Sequence, residues 1–195
     1  MNRENERATS ASHAGPRVIL LVGPGGAGKT SIGRRIAQEQ GWCHIAEDTI
    51  WDELPRDPFS PRTDSEKAAV QRRVVELIQE HIRHNSNVAV DFILYETPPQ
   101  PITYYQTELA RLEIEVITRV LCPSVETIME RQARRANSHD TEVAIAERRR
   151  NAEHQVRCAK SEYIDPVWIV DSSDLSLEEV YERYFASLVT SVLPR

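Results

Sequence analysis

The run Gly23-Pro24-Gly25-Gly26-Ala27-Gly28-Lys29-Thr30-Ser31 carries the most specific chemistry in the sequence. It fits G-x-x-x-x-G-K-[ST] in full, with Ser31 following. Glycines at this density let the backbone curl until successive N–H groups point into one hollow. A helix starting at Lys29 adds its positive N-terminal end. Lys29 then meets the β- and γ-phosphates of a nucleotide as a point charge, and the Thr30 hydroxyl ligates Mg²⁺. The apolar run Val18 to Val22 just before it predicts the buried strand such a loop needs.

A held triphosphate needs further groups before it reacts. Transfer to a hydroxyl calls for a carboxylate near that hydroxyl and cations around the moving phosphoryl group. Asp48, in "HIAEDTIWDEL", follows a predicted second strand and is the candidate proton acceptor, with Glu47 and Asp52 as alternates. Equally, Asp48 or Thr49 caps a short helix carrying Trp51 and Leu54. Asp91 ends the apolar triplet Val88-Ala89-Val90 and is a candidate to hold Mg²⁺ through a water or to orient the substrate. In "MERQARRANSHD", Arg131 and Arg135 stand one helical turn apart, with Arg134 adjacent. A lid near 131–150 would bring such arginines to the phosphates and exclude water. "ERRR" (Glu147 to Arg150) reads as a solvated helix face. His44 and His139 have no partner at metal-ligand spacing and read as structural or exposed.

The elements that must position these groups follow from apolar periodicity. Strands are predicted at Val18–Val22, Trp42–Ala46, Asn87–Leu94, Glu113–Leu121 and Val167–Val170. Helices are predicted from Lys29, over Glu66–Arg83, and from Pro123 and Ser124 through Arg131; Ser176 and Glu179 make a capping box before a last apolar stripe that includes Val180 and Tyr181. The alternation predicts an α/β fold, a parallel sheet with helices between its strands. "LPRDPFSPR" (Leu54 to Arg62) and "YETPPQP" (Tyr95 to Pro101) leave the carboxyl ends of strands, where open α/β sheets bind ligands. Trp51, Phe59, Phe92, Tyr95, Tyr104 and Tyr105 could wall a pocket for a larger acceptor, whereas Arg56 and Arg62 would suit a compact sugar acid.

Composition narrows the class. The chain has 195 residues and a net charge of −6, which disfavours non-specific nucleic-acid binding. The polar first residues predict a loose arm over 1–16 and no signal peptide, and no apolar run reaches membrane-span length. Three scattered cysteines, Cys43, Cys122 and Cys158, predict reduced, mostly buried thiols and a cytoplasmic location. None of the three lysines, Lys29, Lys67 and Lys160, sits in an N-K-x-D guanine-reading context.

The ordered set of a phosphate loop, a carboxylate after strand two, "VAVDF", "VLCPSVETIMERQARR" and "WIVDSSDLSLEEV" resembles the small-molecule kinases of the P-loop superfamily. It is most similar to the chloramphenicol phosphotransferase-like group, with shikimate and gluconate kinases as relatives, over roughly residues 17 to 190. The resemblance implies a P-loop NTPase fold: a five-stranded parallel sheet in a three-layer αβα sandwich, one kinase domain over 17–195. It implies ATP and Mg²⁺ and transfer to a hydroxyl of a small molecule, an antibiotic or a biosynthetic intermediate. Asp48 matches the family's proton-accepting aspartate, Arg131 the arginine over adenine, and Arg135 one that meets the phosphates. Asp171, Ser172 and Ser173, in "VDSSD", match the loop beside adenine. Ser138 stands where such lids often carry a further arginine. A small-molecule acceptor is the expected partner, with no nucleic acid or membrane, for a monomer or homodimer. An ATPase acting on a protein partner, a module that holds nucleotide without turnover, and a nucleotide or sugar kinase remain the alternatives.

Overall fold

The computed structural model of the chain describes residues 15–55, 61–134 and 141–189. Most of the expected arm, Arg56 and Phe59, and Arg135 with Ser138 and His139 lie outside these residues. The elements run β1 (Arg17–Val22), α1 (Lys29–Gln40), β2 (Cys43–Ala46), α2 (Glu47–Glu53), α3 (Asp64–Arg83), β3 (Val88–Phe92), α4 (Gln100–Ala110), β4 (Glu115–Leu121), α5 (Val125–Ala133), α6 (Glu142–Ala159), a 3-10 turn (Pro166–Trp168), β5 (Ile169–Val170), α7 (Leu177–Tyr184) and α8 (Ala186–Val189).

All five strands are parallel, in the order β2-β3-β1-β4-β5. β1 is therefore central. Its side chains alternate between two cores, as the two-residue strand period requires. Val18, Leu20 and Val22 join a core with Val74 and Ile78 of α3 and Ile102 and Tyr105 of α4. Ile19 and Leu21 join the opposite core with Ile32 and Ile36 of α1, Val180 and Tyr181 of α7, and Phe185. Every residue of β1 is buried, which explains its uninterrupted apolar run. Fully burying each such aliphatic side chain contributes about 1.5–3 kcal/mol. The result is the three-layer αβα sandwich expected.

Several predicted bounds shift, each for a local reason. β5 keeps only Ile169–Val170 of the predicted Val167–Val170. Asp165 caps the 3-10 turn, and the Val167 N–H is spent on its Oδ1 at 2.9 Å instead of on the sheet. β3 begins after Asn87, whose side chain accepts the Arg17 N–H at 3.0 Å. β4 begins after Glu113, which turns the chain at φ +56°. β2 starts at Cys43, because Gly41 closes α1 in the left-handed region. α3 starts before Glu66, capped by a Thr63–Glu66 box. The expected Ser176–Glu179 box is present at α7. Neither Asp48 nor Thr49 caps α2: Ala46 is the N-cap, and Thr49 Oγ1 donates to the Ala46 carbonyl at 2.7 Å. Helices α4 and α6 stand where the sequence marked little more than prolines and a solvated face.

Candidate active site

The phosphate loop joins β1 to α1 at the carboxyl end of the central strand. Gly23, Gly26 and Gly28 take φ of +140°, +91° and +102°, which side chains rarely adopt. A Cβ on Gly23 would also lie 2.2 Å from the Leu121 carbonyl oxygen. Lys29 is 6 % exposed, and its Nζ donates to the Pro24 carbonyl at 2.9 Å, folding the ammonium back across the loop.

Beside it lies a carboxylate with fixed contacts. Leu21 pairs with Asp91, so the strand register sets Asp91 next to the loop. Asp91 is 3 % exposed; its Oδ1 accepts from Thr30 Oγ1 at 3.2 Å and its Oδ2 from His44 Nε2 at 2.6 Å. A carboxylate only accepts, so Nε2 carries the proton. The ring fits because residue 33 is glycine: a Cβ there would sit 2.4 Å from His44 Cδ2. His44, expected to be structural or exposed, is thus hydrogen-bonded to Asp91 beside the loop. Thr30 and Asp91 offer hard oxygens side by side, a donor pair that fits Mg²⁺ carried by substrate phosphates.

Two glutamines hold the loop from outside. Gln155 of α6, 4 % exposed, accepts the Gly25 N–H at 2.8 Å, and Gln132 of α5 donates to the Gly25 carbonyl at 2.9 Å. Arg131 donates to Ala27 O at 3.1 Å and to Ser172 O at 2.8 Å, tying the loop to the segment after β5. A cavity of about 450 Å³ opens there, lined by Ala27, Ser31, Arg131, Ser172, Ser173 and Leu177 among others. Asp171 instead accepts from Ser173 N and Oγ, at 3.0 and 2.6 Å, and acts on the loop through Ser173. Those bonds hold its carboxyl below the usual range. Arg134 lines the same cavity from the end of α5, and Arg135 lies outside the described residues.

A second cavity, about 440 Å³, lies on the β2–β3 side, lined by Glu47, Trp51, Arg62, Ile93 and Tyr95 among others. Asp48 is exposed in the first turn of α2. Glu47, one residue earlier, is more constrained: Oε2 accepts from Tyr105 Oη at 2.7 Å and Oε1 from Trp51 Nε1 at 3.1 Å. Burial pushes its carboxyl above the ordinary value, against the lowering by these bonds. The same burial, with the Glu47 charge, raises the Tyr105 phenol well above its own. The expected aromatic wall divides. Phe92 and Tyr105 belong to the core, and Tyr104 packs edge-on against Tyr105. Trp51 and Tyr95 face the cavity, with the Arg62 guanidinium 4.2 Å from the Trp51 ring centroid.

The remaining expectations sort readily. Of the run Glu147 to Arg150, Glu147, Arg149 and Arg150 are exposed on α6, whereas Arg148 is only partly so. Cys122 and Cys158 are buried and Cys43 only partly so. Among the described residues no helix is long and apolar enough to cross a membrane. Sequence reasoning missed Gln132, Gln155 and His44's role. Each is a single polar residue brought in from far along the chain, with no local pattern.

A parallel sheet with this loop at its central strand defines a P-loop nucleotide-binding protein. The family described as AAA domain matches residues 18–157, and the chain belongs to that family. Among solved structures, the chain is similar to a sugar kinase from Janibacter sp. HTCC2649, with 18 % identity, TM-score 0.60, and coverage of 86 % of this chain and 91 % of that one. It is also similar to the tunicamycin resistance protein of Deinococcus radiodurans, with 16 % identity, TM-score 0.62, and coverage of 92 % and 99 %. Shikimate kinase from Acinetobacter baumannii, solved in complex with shikimate, gives 16 % identity, TM-score 0.55, and coverage of 93 % and 97 %. At these identities the likeness is one of fold, and it bears out the expected P-loop architecture, a five-stranded parallel sheet flanked by helices. No curated protein matches the chain.

Proposed function

We propose that the chain is an ATP-dependent phosphotransferase that moves the γ-phosphoryl group to a hydroxyl of a small molecule. One observation carries the reading: two cavities flank the central phosphate loop, one toward β4–β5 and one toward β2–β3. A nucleotide and an acceptor held on opposite sides of one loop meet at its phosphates.

On this reading the residues divide the work as follows. The loop Gly23 to Ser31 would bind the phosphates through Lys29 and through its backbone N–H groups, apart from Pro24, which has none, and Gly25, whose N–H is given to Gln155. Arg131, Ser172 and Ser173 would border the base. Thr30 and Asp91 would hold Mg²⁺, which supplies charge neutralisation at the phosphates. His44 orients Asp91 through the 2.6 Å bond. Asp48 would take the acceptor's proton as its oxygen bonds to the γ-phosphorus and the bridging oxygen leaves with ADP. Arg135 would complete the cation set. An antibiotic or a biosynthetic intermediate fits as acceptor, and an intracellular site fits the thiols.

Labelled ATP offered with a library of small alcohols tests the reading. Acceptor-stimulated ATP consumption with a labelled product is expected. Hydrolysis indifferent to every alcohol but raised by a protein partner would overturn it in favour of a regulatory ATPase.

A further inference from the structure

The geometry of the second cavity points to an acceptor class: an uncharged, ring-bearing alcohol, with selection against carboxylates and phosphates. The inference rests on the kinase reading above and deepens it.

The cavity's charges are balanced in number, and one of its two cations is ion-paired. Its described lining carries two acids, Glu47 and Glu96, and two bases, Arg62 and Lys67. Lys67 Nζ donates to Glu96 Oε2 at 3.2 Å and lies 3.4 Å from Asp64 Oδ1. Arg62 lies face-on to Trp51. Recognising an acidic ligand calls for a bidentate arginine fork or converging cations. Lys67 would have to leave its carboxylates first, and a carboxylate drawn to the edge of Arg62 would sit beside Glu47 and Glu96.

The acceptors point the same way. A carboxylate has about four lone-pair sites. Tyr105 and Trp51 take one on each Glu47 oxygen, which fixes the group's orientation and leaves accepting capacity for ligand hydroxyls. Such a group rewards O–H donors and repels anions. Apart from Gln71, the rest of the wall is apolar: Ile93, Pro61, Pro101 and the Tyr95 ring. Tyr95 is 46 % exposed, while its backbone is anchored by His154 Nε2 donating to its carbonyl at 2.7 Å. An exposed ring on an anchored backbone stacks well on a ring with an apolar face. Hydroxyls toward Glu47 and a ring face toward Tyr95 describe a neutral cyclic polyol, glycoside or nucleoside.

The test uses the full chain with Mg²⁺ and a non-hydrolysable ATP analogue, by calorimetry against matched pairs: methyl glucoside and glucuronate, uridine and uridine monophosphate, inositol and inositol phosphate. At least one neutral member should bind, about tenfold or more tighter than its charged partner. Tyr95→Ala should weaken it by about tenfold, a larger loss than any in analogue affinity. Tighter binding of a charged member, or no neutral binder across the panel, would overturn the assignment. ATP consumed with an anionic acceptor would sink this inference and leave the kinase reading standing. A neutral ligand bound tightly with ATP never consumed would do the reverse.

Discussion

His44 and Asp91 share a 2.6 Å hydrogen bond across 47 positions of sequence, and the other oxygen of Asp91 takes the Thr30 hydroxyl. The imidazole therefore sets which way the carboxylate faces the phosphate loop. Removing such an outer partner typically costs about 10–100-fold in metal affinity. His44→Ala should raise the half-saturating Mg²⁺ concentration by about tenfold in a titration of the nucleotide-analogue complex. Metal-free nucleotide binding should be unchanged. An unaltered Mg²⁺ requirement would reduce His44 to packing.

Gly33 exists for the same ring. Helix propensity alone would favour alanine there by about 1 kcal/mol. The Cβ, 2.4 Å from His44 Cδ2, reverses the sign. Gly33→Ala should destabilise the fold by about 1–3 kcal/mol in urea unfolding. In the Gly33→Ala/His44→Ala double variant most of that loss should return, because the two sites couple directly. Simple additivity would refute the clash.

Asp48 is the chemical test. Asp48→Asn keeps shape and loses basicity, so transfer should slow by about 10²–10⁴-fold with nucleotide affinity intact. Full activity in this variant, measured by single-turnover transfer, would pass the role to Glu47 or Asp52.

How much was legible in the sequence depends on the distance over which the signal acts. The phosphate loop was readable because nine adjacent residues encode it, and Asp91 because it follows the apolar triplet Val88-Ala89-Val90 inside β3. Helix α4 hid behind "YETPPQP", since Pro101 sits inside its first turn, where helices tolerate proline. Helix α6 buries Ala152, Gln155, Cys158 and Ala159, too few large apolar groups to show a period. Glu47 was one of three neighbouring acids. Only Trp51 on its own helix and Tyr105 from α4 single it out.

Arg131 makes its contacts to backbone carbonyls of two separate loops. A hydrogen bond from a charged group contributes about 1.5–3 kcal/mol. Arg131→Ala should therefore raise the KM for ATP by about 10–100-fold with a smaller change in kcat. Arg131→Lys should not rescue it, because an ammonium lacks the planar fork. A fall in kcat at constant KM would instead place Arg131 at the transferring phosphate.

Glu47 gives a pH signature. Its carboxyl is held above the ordinary value by burial, with Asp48 adding to the rise and Tyr105, Trp51 and Arg62 opposing it. Between the ordinary and the raised value the folded chain binds more protons than the unfolded one. Stability from this group thus falls as pH rises through that window and stays lower above it. Glu47→Gln removes the fall. The variant's urea midpoint relative to the parent should be higher near pH ~7 than near pH ~4. A pH-independent difference would show that the burial cost is not expressed.

Gly25 is gripped at both ends of one residue, its N–H by Gln155 and its carbonyl by Gln132. The two glutamines ride on α6 and α5, the helices on either side of positions 135–140. Neither helix can shift without straining the grip on the loop that holds the phosphates. Whatever displaces the loop therefore pulls on both helices, and whatever displaces either helix pulls on the loop.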